Sequence, residues 1–295
     1  MDSRGPVTKS PMMPPMPSAR PRIIFIASLP HSGSTLLDLL LGSHSQIESL
    51  GEISKLKRYA EAPRDAAPRG GKQQCTCGAP NVWQCPLWRR VDEFLRSRGT
   101  SGLRGLDVGS SSQRRFREDN GLLYEAVLEV AAKKFVVDSS KSVRRLRMLM
   151  AVDAFDLHPV FLYRQPHGQI NSMVRKYGDP DHALATNVRM NMELLDTLRG
   201  RPFVAIRYEK LVLDPREEML RILKPLGLEF EDQQLEWARL PHHNLAGNAM
   251  RFSGNGVLRQ DDSWRRTMAP ELIERVDRAI ASLELRLAEH YEPAR

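Results

Sequence analysis

Chemistry is first legible in this chain in the loop Pro30-His31-Ser32-Gly33-Ser34-Thr35. An apolar run from Arg22 to Ala27 precedes it and a leucine-rich segment, 36–41, follows, which reads as a buried strand, a tight polar turn and a helix. The first turn of a helix leaves backbone N–H groups without intrahelical partners, and the helix dipole adds partial positive charge there. With hydroxyls beside them, such amides suit a phosphate. The nucleotide-hydrolase pattern G-x-x-x-x-G-K-[ST] is met only at Gly33 and Thr35, because Ser28 and Ser34 stand where it needs Gly and Lys. With that Lys missing and His31 inside the loop, an ATP or GTP hydrolase is disfavoured.

Other reactive side chains follow apolar runs in the same way. Glu52 comes just after Gly51. Lys141 ends Asp138-Ser139-Ser140-Lys141, behind the run 134–138. Arg164 follows the run 158–163, with Ser172 on the next helix, and Tyr208 ends the run 203–208. A Glu at the position of Glu52 is by itself most often a solvated helix-start residue stabilised by the dipole.

The elements that must position these groups are short buried strands alternating with helices. That order predicts an α/β fold, a P-loop-like, mainly parallel sheet with helices on both faces. Ligands bind outside the carboxyl ends of such strands, where the loop, Lys141, Arg164 and Tyr208 all fall. Asp214-Pro215 predicts a helix start and Pro270 opens a last amphipathic helix. Residues 99–117 read as a mobile loop, and Arg144, Arg145 and Arg147 as the solvated face of a basic helix.

Pro30-His31-Ser32-Gly33-Ser34-Thr35-Leu36-Leu37 resembles the 5′-phosphosulfate loop of sulfotransferases that use 3′-phosphoadenosine 5′-phosphosulfate (PAPS). In that family the residue after the proline is usually Lys or Arg, and His31 departs from it. Gly51-Glu52 resembles the pair that supplies the catalytic carboxylate in the protein-tyrosine branch and in many bacterial relatives, so the resemblance is nearer that branch than the cytosolic small-molecule one. Arg164 and Ser172 keep the offset of the family's 3′-phosphate pair. Tyr208-Glu209-Lys210-Leu211 with Asp214-Pro215 is similar to the segment whose Tyr contacts the adenine or its sugar. Asp138-Ser139-Ser140-Lys141 resembles a bacterial signature whose Lys lies near the transferred group, and the stretch 247–252 resembles a late cofactor-closing region with Arg251 as a phosphate contact.

The resemblance implies catalytic roles for Glu52, Lys141 and His31. It implies PAPS binding by His31, Ser32, Gly33, Ser34, Thr35, Arg164, Ser172, Tyr208 and Arg251, with no metal required. The implied acceptor bears a hydroxyl, or less readily an amine. Phosphate oxygens beside His31 are expected to raise its pKa and let it partly replace the missing Lys or Arg. His44, His167, His242 and His243 are rival bases. Two other function classes stay in view: a Mg-ATP-dependent nucleotide or nucleoside kinase with a degenerate loop, and a basic nucleic-acid or partner-binding module. Against the module, the arginines are spread along the chain and form no compact basic-aromatic motif.

Composition bounds the rest. A 295-residue chain with 41% hydrophobic and 27% charged residues is that of a globular protein with a sizeable core. Its net charge of +8 suits an anionic ligand. No run approaches the roughly 18 apolar residues of a membrane span. Residues 1–21 are Pro-rich without the apolar stretch of a secretory signal and read as a disordered leader. Residues 22–295 read as one domain with a Cys-containing insertion near 60–118. Cys75, Cys77 and Cys85 make no disulfide framework, so a cytoplasmic location is expected. Their spacing would hold zinc only if a His completed the set. None follows within the segment, and packed thiols beside Trp83 and Trp88 are the favoured reading.

Overall fold

The structure is a computed structural model that describes residues 20–65, 73–253 and 256–290. The expected leader lies outside the described residues except for its last two positions. Among the described residues five strands form the sheet: β1 (Arg22–Ala27), β2 (Ile47–Ser49), β3 (Phe135–Asp138), β4 (Asp156–Tyr163) and β5 (Val204–Arg207). Their order is β2-β3-β1-β4-β5 and every pairing is parallel. Central β1 is covered on both faces, which is why it reads as an unbroken apolar run. Side chains alternate across the sheet. Ile23, Phe25 and Ala27 therefore enter one core with Trp88 and Tyr124, while Ile24 and Ile26 enter the other with Leu37 and Ile206.

The parallel sheet with helices on both faces is as the sequence predicts. Strand β2 is additional. At three residues it is too short to show a period, and it is held by pairing Ile47 with Phe135 at the sheet edge. Tyr208 opens the helix Tyr208–Leu213 and does not end β5.

The expected mobile loop at 99–117 is instead built structure. It contains a 3₁₀ turn, Gly102–Gly105, and the start of the helix Gln113–Ala131, capped by the Ser112 hydroxyl. Buried Asp92 accepts the Leu103 N–H at 2.8 Å, and Leu103, Leu106 and Val108 are in the core.

Arg145 also departs from the expected solvated face, since only 4% of it is exposed. Its Nε meets Asp138 Oδ2 at 2.6 Å, and its other nitrogens donate to the Val108 carbonyl, Asn120 and Tyr124. Asp138 in turn accepts from the Ser140 N–H at 3.0 Å, so this buried pair sets the turn that leads to Lys141. Removing one member strands the other charge in the core. Arg145→Ala is expected to lower the unfolding free energy by about 3–5 kcal/mol, read from urea denaturation midpoints at constant m-value.

Candidate active site

The polar loop between β1 and the helix Ser34–Gly42 turns through Gly33 at φ +88°. A Cβ there would lie 2.3 Å from the Tyr208 ring, so this position needs glycine both for its backbone and for the close approach of Tyr208. Thr35 Oγ1 accepts the Asn248 N–H at 3.0 Å, tying the loop to the late segment of the chain. Behind it, buried Asp38 takes hydrogen bonds from Ser139 and Asn244, and burial pushes its carboxyl up to about 7.

A cavity of about 420 Å³ opens outside the strand ends. His31, Gly33, Ser34 and Thr35 form one wall; Glu52, Lys141, Arg164, Ser172 and Tyr208 close around it. Residues that follow all five strands thus meet in one place.

Arg164 and Ser172 meet through His31. Arg164 Nη1 donates to the His31 carbonyl at 2.9 Å, while Ser172 Oγ lies 3.1 Å from His31 Nδ1. The Arg164 guanidinium stacks 4.8 Å from the Tyr208 ring centre and is paired with Asp261 at 3.2 Å. A Cβ on Gly168 would come within 3.1 Å of it, so the helix Pro166–Tyr177 leaves room for the arginine there.

The surroundings of His31 set its charge in the free site. Burial lowers its pKa, and the neighbouring charges of Lys176, Arg164 and Lys141 lower it further. Without a bound anion, these cations favour the neutral ring.

Lys141 Nζ donates to Glu52 Oε1 at 2.7 Å and to the Ser139 carbonyl at 3.2 Å. Lys141 has φ +54°, which turns it back from the end of β3. Glu52 is held by its own N–H, which donates to the Leu245 carbonyl at 2.7 Å. Pro30, Glu52 and Lys141 are also the near wall of a second cavity, of about 580 Å³, lined by Ser54, Lys55, Ser142 and Arg189. The salt bridge therefore stands between two cavities.

Residues 21–99 match the model of the sulfotransferase family. Among solved structures, the sulfotransferase domain from the curacin biosynthetic pathway matches with a TM-score of 0.56 at 21% identity, over 90% of this chain and 99% of that one. Sulfotransferase STF1 from Mycobacterium tuberculosis H37Rv matches with a TM-score of 0.50 at 15% identity, over 90% of this chain and 77% of that one. Comparison with curated proteins returns no match. The match to the family model covers little more than a quarter of the chain, and the solved structures show that the fold is the one these sulfotransferases share.

On this sulfotransferase fold two of the expected site residues stay off the cavity wall. Ser32 is buried beneath the loop with 2% of its surface exposed. Arg251 is turned the other way: it donates to the carbonyls of Asn244 and Gln74 at 2.9 and 3.1 Å and to the Thr76 hydroxyl at 3.3 Å. Its Nη atoms are thus held by the 74–76 and 244 backbone and side chains, away from the cavity wall. The rival histidines are also elsewhere. His44 and His242 each bond a backbone carbonyl at 2.9 Å, and His167 stacks on Trp264. His243 faces Cys85.

Lys176 and Arg259 line the cavity and were not anticipated. Lys176 carried a signal, since it lies one turn beyond Ser172 on the same helical face. Arg259 sits in irregular chain with no period to mark it.

Proposed function

We propose that this protein transfers a sulfuryl group from PAPS to a hydroxyl-bearing acceptor. The observation that carries the reading is the Glu52–Lys141 pair, the shared wall of a cation-lined cavity beside the phosphate loop and a second cavity open to another molecule. The first would take the nucleotide. Ser34, Thr35 and the loop amides would hold the 5′-phosphate, Arg164 and Ser172 the 3′-phosphate, and Tyr208 the nucleoside.

In the transfer step, the acceptor oxygen attacks sulfur and the bond from sulfur to the 5′-phosphate oxygen breaks. The acceptor proton passes to Glu52, and adenosine 3′,5′-bisphosphate (PAP) leaves with the bonding pair. Lys141 and the loop amides meet the negative charge that grows on the leaving oxygen, so stabilisation is concentrated where charge develops. The carboxylate at the Gly51-Glu52 position favours the protein-tyrosine-like arrangement over the small-molecule one. Three free cysteines suit work in the reducing cytoplasm.

A thermal-shift series tests the donor. PAP at saturating concentration is expected to raise the melting temperature, and ATP with Mg²⁺ at the same concentration to do so far less. The opposite ranking would replace this reading by the kinase one.

Proton linkage provides a further expected result. The 5′-phosphate adds negative charge beside His31 and opposes the three cations that lower its pKa in the free site. The bound-state pKa is then above the free one, so PAP binding takes up protons and tightens as pH falls from the bound pKa to the free pKa. Calorimetry in two buffers of different ionisation enthalpy measures the uptake. His31→Arg is expected to remove this component, leaving only the titration of the ligand's own phosphates.

A further inference from the structure

We propose that Cys75, Cys77, Cys85 and His243 bind one zinc ion that clips the 73–88 segment to the stretch of backbone holding Glu52. The sulfur atoms of Cys75 and Cys85 are 3.5 Å apart and those of Cys77 and Cys85 3.7 Å. His243 Nδ1 lies 3.2 Å from the Cys85 sulfur. All four donor atoms fall within 4.8 Å of one another. A tetrahedral zinc with bonds to sulfur of about 2.3 Å places its sulfurs about 3.8 Å apart, which these separations approach. A disulfide would need one pair drawn in to about 2.05 Å.

The donor set also selects the metal. Three thiolates and an imidazole form a soft, closed set of four, the composition of structural zinc sites, with no position left open for water or substrate. Cys75 and Cys85 have no exposed surface. Each thiol binds as thiolate and gives its proton to solvent, so the filled site carries a net charge of about −1. Arg251, whose charge acts on Cys75, is the nearby cation that compensates it.

The sequence hid this site because its fourth ligand lies 158 residues beyond Cys85. What that ligand joins gives the ion a purpose. The His243 carbonyl accepts the Trp88 indole N–H at 2.7 Å. The Asn244 carbonyl takes Arg251 at 2.9 Å, and Arg251 also binds Thr76, the residue between Cys75 and Cys77. The Leu245 carbonyl receives the Glu52 N–H. The ion would therefore fix the backbone that aims Glu52, and Arg251 would be part of that clip.

Elemental analysis of the purified full-length chain, expressed with zinc present and dialysed into metal-free buffer, is the deciding experiment. About one zinc per chain is expected, with the three thiols unreactive until a mercurial releases the metal. Cobalt in place of zinc is expected to give the intense thiolate charge-transfer bands of a tetrahedral site. Cys77→Ser, the variant at the least buried thiol, and His243→Asn are each expected to lower bound zinc at least tenfold. Wild-type cobalt spectra keep the test decisive should either variant fail to fold. A metal-free protein with three titratable thiols would overturn the proposal, as would one with a disulfide. Zinc retained in full by both folded variants would do the same. None of these readings depends on PAP binding, so the clip and the sulfotransfer reading stand or fall separately.

Discussion

Glu52→Gln is expected to lower the turnover number by about 10²–10⁴ while leaving the affinity for PAP unchanged, because general base catalysis is typically worth that factor. The amide keeps the size of the side chain, and its oxygen can still accept from Lys141 across the 2.7 Å contact. It cannot take the acceptor's proton. Binding of PAP draws on groups on the other side of the cavity, so the two measurements separate. A turnover near wild type would reduce Glu52 to a structural partner of Lys141. Equal losses in turnover and in PAP affinity would mean that the pair organises the nucleotide site and does not act on the proton. Glu52→Ala is the less informative change, since it leaves the half-buried Lys141 ammonium with only the Ser139 carbonyl.

What was legible in the sequence had a local cause. The strand–turn–helix at 22–42 could be read because its parts are contiguous, and a parallel sheet must bring strand ends to one edge. That geometry placed Lys141, Arg164 and Tyr208 around the loop without any knowledge of contacts. Ser172 had no such local cause and was singled out only by the family resemblance; the structure places it on the same cavity wall as Arg164. The features that were not legible depend on partners distant in sequence. Arg145 looks like a surface residue until Asp138, Asn120 and Tyr124 enclose it. Arg251 looks like a phosphate ligand until the Asn244 and Gln74 carbonyls claim it. His243 gains meaning only beside Cys85. Strand β2 has three residues and no pattern of its own, yet its partner β3 and the core residue Ile47 fix it. In each case the tertiary neighbour, not the local propensity, decides the role.

The same distinction governs Arg164, which does two jobs that a ligand series can separate. It braces the loop through the His31 carbonyl, and it lines the cavity together with Ser172, where the 3′-phosphate is proposed to lie and would compete with Asp261 for Nη2. Arg164→Lys retains the charge but loses the planar fork, the stacking on Tyr208 and the ability to hold two acceptors at once. Losing one hydrogen bond to a charged group costs about 1.5–3 kcal/mol, so PAP is expected to bind roughly 10–100-fold more weakly to the variant. Adenosine 5′-monophosphate lacks the 3′-phosphate and is expected to lose only the small part that reflects the loop. Titrating both ligands against both proteins gives the coupling between the arginine and that phosphate. Equal weakening of the two ligands would assign Arg164 to the loop alone, and the 3′-phosphate would then belong to Lys176 or Arg259, the other cations on the cavity wall.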